Sequence, residues 1–120
     1  MKKHLMDKEG KKMKSEILEK YEIIDAHAHI FPEKIAEKAT ANVGKFYDSC
    51  GMSSRLIEEG SAVGVSEYLV CSTATVPQQV RVINSFIAEE CGKYPQFFGF
   101  GTTHPLSEDI EGDIAHIKEL

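Results

Sequence analysis

The feature that most narrows what this chain can fold into is an alternation. Three short apolar runs, rich in β-branched and aromatic residues, are separated by longer stretches of helical periodicity. The runs are Tyr21-Glu22-Ile23-Ile24-Asp25-Ala26, Glu67-Tyr68-Leu69-Val70-Cys71-Ser72 and Phe97-Phe98-Gly99-Phe100. Each reads as a strand, apolar on both faces and followed by polar residues. Strands separated by helices pair in parallel through right-handed crossovers and are covered on both faces. The expected class is therefore α/β, built of about three β/α units.

The intervening stretches support this reading. Ser15 to Lys20 is long enough for a short helix. Pro32 suits the first turn of another, where its missing N–H costs nothing. Beyond it Ile35, Ala39, Val43 and Phe46 recur at steps of four, four and three, which makes one amphipathic face. Residues Asp48 to Met52, with Gly51 among them, interrupt that face. A further helix is expected from an N-cap at Ser53 or Ser54 to a stop at Gly64. Pro77 opens the next, with Val80, Ile83, Ile87 and Cys91 as its stripe and Gly92 as its end. Ser107 is the expected cap of a last helix reaching Leu120, with Glu108 and Asp109 favourable near its positive end.

Length and composition set the outer limits. At 120 residues the chain suits one domain, and 42% hydrophobic with 28% charged residues is ordinary for a globular one. No apolar run approaches the ~18 residues of a membrane-spanning helix. Lys2 and Lys3 are followed by more charge, not by the apolar core of a secretory signal. Cys50, Cys71 and Cys91 are odd in number and form no CxxC pair, which fits free thiols in a reducing cytoplasm. The net charge of −5 divides into +4 over residues 1–14 and −9 over the remainder. Residues 1–20 read as a basic leader, partly disordered or forming a short helix, and residues 21–120 as the domain. An acidic body argues against a nucleic-acid face.

The chemistry-bearing motif is Asp25-Ala26-His27-Ala28-His29. Side chains alternate along a strand, so Asp25, His27 and His29 are expected on one side. Two imidazoles at i and i+2 can reach one ion, and imidazole nitrogen suits Zn²⁺ and other borderline metals. Asp25 is placed to accept the second N–H of a ligand histidine, the support that metal-bound imidazoles usually have. In parallel α/β folds reactive groups gather at the C-terminal ends of strands, where this pair falls. The competing reading is a pair of loop histidines capping backbone carbonyls. His104, in the loop after the third strand, either contacts substrate or shapes the turn into the last helix. The threonines at 73, 75, 102 and 103 read as turn formers. Cys71 reads as a small packing residue and Cys91 as core.

The stretch IIDAHAHIFPEKIAEKA resembles the N-terminus of the amidohydrolase-related family within the metal-dependent hydrolase superfamily. FFGFGTTHP is similar to that family's third strand and its loop. The resemblance runs from about Tyr21 to Leu120. It implies the N-terminal part of a TIM-type (β/α)8 barrel and a catalytic divalent metal, usually Zn²⁺. His27 and His29 match the first two metal ligands, and Asp25 the acidic residue before them. A further histidine and an aspartate come from later strands in the family. The implied substrates are small carboxylates, amides, esters or lactones, either hydrolysed or decarboxylated.

A complete barrel takes about 250 residues and eight strands, and three strands cannot close one. The chain is thus expected to be the incomplete N-terminal part of such an enzyme, with catalytic residues beyond Leu120. Open sheet edges favour homo-oligomer formation. Two other functions compete. One is a TatD-like metal-dependent phosphoesterase, whose first strand also ends in HxH. The other is a truncated, non-catalytic remnant, since catalytic zinc normally takes three protein ligands.

Overall fold

The computed structural model describes residues 19–36, 38 and 51–120. Strand β1 spans Ile23–His29, helix α1 Ser53–Val63, strand β2 Val65–Cys71, helix α2 Val80–Lys93, strand β3 Phe97–Gly99 and helix α3 Ile110–Glu119. The three strands form one sheet in the order β1-β2-β3, and both pairs are parallel. Strands adjacent in sequence are adjacent in space, so the sheet grows in one direction without reversing. Among the described residues it is open and unclosed.

The helices lie where the apolar periodicity places them, with shifts at their ends. Helix α1 starts at Ser53 after Met52, and no side-chain cap serves it; the serine is inside the first turn. It ends at Gly64, whose φ of 96° is left-handed and whose N–H returns to the carbonyls of Gly60 and Ser61. The turn opened by Pro77 is a 3₁₀ turn over Pro77–Gln79, and the α-helix begins at Val80. That helix runs one residue past Gly92, to Lys93. The cap of α3 is Asp109, not Ser107: the Asp109 carboxylate accepts the Gly112 N–H. Ser107 instead donates its hydroxyl to Asp113 at 2.6 Å. Strand β2 begins two residues before Glu67 because Val65 already pairs with Ile23. Residues 33–36 are helical, as expected after Pro32, and Glu19 and Lys20 are helical as well. The expectations for Ala39, Val43, Phe46, Cys50, the interruption from Asp48 and most of the leader fall outside the described residues.

The core lies between the sheet and helices α1 and α2. Ala28, Ile30, Tyr68, Val70, Ile87 and Phe97 form its buried cluster, with Leu56, Ile57, Phe86 and Cys91 packed against it. Gly99 lets β3 approach α2 closely, since a Cβ there would meet Ile87 Cγ2 at 2.7 Å and Cys91 Sγ at 2.8 Å. Alternation along the strands sends His27, His29, Leu69, Cys71 and Phe98 to the other face. Among the described residues that face has no covering layer. Phe98 and Phe100 are half exposed, as is Ile24 at the sheet edge.

Helix α3 is tied to α2 by polar contacts. Arg81 donates to Asp109 at 2.9 Å and to the buried Asp113 at 3.1 Å. The Ser107 hydroxyl bond, opposed by burial and joined by Arg81, holds the Asp113 carboxyl below its ordinary value. Asn84, buried on α2, grips the backbone of Thr102 with both ends of its amide. Its Nδ2 donates to the Thr102 carbonyl at 2.9 Å and its Oδ1 accepts the Thr102 N–H at 2.8 Å. The loop leaving β3 is thereby fixed to the helix before it.

Candidate metal centre

The site is built at the C-terminal ends of β1 and β2. His29 and Cys71 are direct register partners across the parallel pair. The N–H of Ile30, one residue further, donates to the Cys71 carbonyl at 3.1 Å, which pins both strand ends together. Partners in register lie about 4.8 Å apart and show their side chains on the same face. His27, two residues before His29, joins them there. Its Nε2 is 2.9 Å from His29 Nε2, so one ring donates its N–H to the other. The ring centroids are 4.9 Å apart. The His29 and Phe31 rings are nearly parallel, with centroids 6.4 Å apart.

A bulge in β1 shapes this end. Between Asp25 and Ala28 the register slips, so that three steps along β1 match two along β2. Bulges re-aim side chains locally. The Asp25 carboxylate accepts the backbone N–H of His27 at 3.1 Å, closing a tight local loop. It therefore steadies the backbone that carries His27, rather than an imidazole.

Cys71, which the sequence reads as a small packing residue, stands beside the two histidines. Its Sγ lies 3.9 Å from His29 Nδ1 and 4.0 Å from His29 Nε2. One ligand atom from each of His27, His29 and Cys71 falls within 4.8 Å of the others. The sequence shows that β1 and β2 both end near here. It does not show the register, which two slips have displaced, so the adjacency was not readable. His104 is not part of this cluster. Its Nδ1 accepts the Leu106 N–H at 3.1 Å and its carbonyl accepts the Ser107 N–H at 2.9 Å, the contacts of a turn former.

Two imidazoles and a thiol are donor types that zinc takes. Tetrahedral coordination with Zn–N of 2.0–2.1 Å and Zn–S of 2.3 Å sets donor atoms about 3.3–3.6 Å apart. The observed separations bracket that range. Burial, with His27 beside it, holds the His29 imidazole below its ordinary value and so favours the neutral, ligating form. Burial pushes the Cys71 thiol up, a preference that a bound cation reverses.

Comparison of the chain with protein-family models, with curated proteins and with solved structures finds no match. Among the described residues no helix is long and apolar enough to cross a membrane.

Proposed function

We propose that this chain is the metal-binding N-terminal portion of an amidohydrolase-like enzyme with a TIM-type (β/α)8 barrel. In this reading the enzyme hydrolyses an amide, ester or lactone, or decarboxylates a small carboxylic acid. The observation that carries the reading is the His27–His29 pair, 2.9 Å apart at the C-terminal end of the first of three parallel strands. Active sites of such barrels gather at that end. The unreversed strand order and the uncovered sheet face also support a barrel segment, because in a barrel that face turns inward. The sequence resemblance from Tyr21 onward supplies the family.

His27 and His29 hold the ion, and the bulge at Asp25 keeps the His27 backbone in place. A divalent ion there supplies Lewis acidity toward a carbonyl or carboxylate. The half-exposed Phe98 and Phe100 lie on the same sheet face or just beyond it and add apolar surface there. His104 acts in the turn into the last helix. Zn²⁺ is the expected metal.

The test is an activity panel on the 120-residue chain, and on any longer product of the same gene, with Zn²⁺ present. Lactone, ester, amide and carboxylic acid substrates are assayed beside a phosphodiester. Turnover of the first group with loss in His27→Ala supports the proposal. Turnover of the phosphodiester alone would favour the TatD-like alternative, and no turnover by any product the non-catalytic one.

A further inference from the structure

The packing role expected of Cys71 does not match its surroundings. Cys91, on α2, packs against the buried cluster. Cys71 instead ends β2 on the opposite face, with its Sγ at 3.9 Å from His29 Nδ1 and 3.8 Å from the Ala28 carbonyl. It is neither in the core nor disulfide-bonded.

We propose that Cys71 is the third protein ligand of the metal centre, giving a His27–His29–Cys71 site built across two neighbouring strands. The inference rests on reading the two histidines as ligands and goes beyond it in chemistry. Three side chains are the number a catalytic zinc takes, so this set would suffice, with the fourth position open, without the later-strand histidine and aspartate of the resembled family. The two strand ends already bring all three donors within 4.8 Å, with no contribution from any other element. A thiolate also changes which ion the site accepts. Two imidazoles alone do little to separate Zn²⁺ from other first-row divalent ions. A sulfur donor selects soft ions, so the centre takes Zn²⁺, Co²⁺ or Cd²⁺ in preference to Mn²⁺ or Mg²⁺. Binding releases the thiol proton to solvent as the S–metal bond forms.

Cobalt is the probe. In a Cys50→Ser/Cys91→Ser background Cys71 is the sole thiol, and Co²⁺ should produce a thiolate-to-cobalt charge-transfer band in the near ultraviolet. Adding Cys71→Ser should abolish the band and weaken Zn²⁺ binding by more than the roughly 10–100-fold that losing an outer partner of a ligand costs. In the unsubstituted chain Zn²⁺ should protect Cys71, and not Cys91, from alkylation as mapped by peptide mass spectrometry. That readout serves if the variants do not fold. Cobalt bound without the band, or Cys71 alkylated equally with and without Zn²⁺, overturns the role of Cys71 and leaves the histidine pair standing. Absence of metal binding by every form, the unsubstituted chain included, overturns both.

Discussion

Asn84→Ala removes two hydrogen bonds at once and tests how the rim loop is held. The Asn84 amide meets the Thr102 backbone as a neighbouring strand would, with bonds of 2.9 and 2.8 Å. Because the Thr102 N–H must donate, the amide oxygen is assigned to face it. Each bond contributes about 0.5–1.5 kcal/mol net, so losing both costs about 1–3 kcal/mol. Asn84→Asp keeps the acceptor but turns an oxygen toward the Thr102 carbonyl in a buried position. It should cost at least as much as alanine, since a buried carboxylate facing a carbonyl is unsatisfied as well as charged. Urea unfolding followed by circular dichroism measures the loss, and hydrogen exchange locates it. The Thr102 N–H should lose protection beyond the global change. Stability within about 0.3 kcal/mol of the unsubstituted chain, with Thr102 still protected, would refute the clamp.

Two further outcomes follow from the core and from the α2–α3 contact. Ile87→Ala opens the buried cluster where α2 meets β3, and should cost about 2–5 kcal/mol by chemical denaturation; a loss under about 1 kcal/mol would show that this helix does not cover the sheet. Asp113 is held below its ordinary 3.8 by the Ser107 hydroxyl and, beyond the opposing burial, by Arg81. Its stabilisation is therefore present above that value and is lost as pH falls through the lower folded value. Acid titration of stability should fall more steeply below about pH 4 in the unsubstituted chain than in Asp113→Asn, and parallel curves would contradict the assignment.

Much of the fold was legible because it rests on local rules. Ile83, Ile87 and Cys91 sit at helical spacing; Ile83 is buried with Ala74 and Val80, Ile87 lies in the main cluster, and Cys91 packs against it. Gly64 was readable as a helix stop because only a residue tolerant of positive φ serves there. The caps were less so. Ser107 and Asp109 are both good N-cap residues, and Asp109 is also held by Arg81, which lies 28 residues earlier in the chain. Among the described residues the expectation that the strands would be covered on both faces was met on one only, since Ile24, Phe98 and Phe100 are half exposed. For the site, the i, i+2 spacing was enough to bring His27 beside His29. Asp25 departs from that alternation because a bulge intervenes. Cys71 joins through register, a long-range property that no window of sequence contains.

The role proposed for His27 and His29 is to hold a metal ion. Its most direct test is the Zn²⁺ affinity of the 120-residue chain, measured by competition with a chromophoric chelator, beside a His27→Ala/His29→Ala variant shown to be folded by circular dichroism. If His27 and His29 hold the ion, the unsubstituted chain should bind one equivalent of Zn²⁺, and the affinity should fall by at least about a hundredfold when both imidazoles are gone. Equal affinities in the two proteins would contradict it.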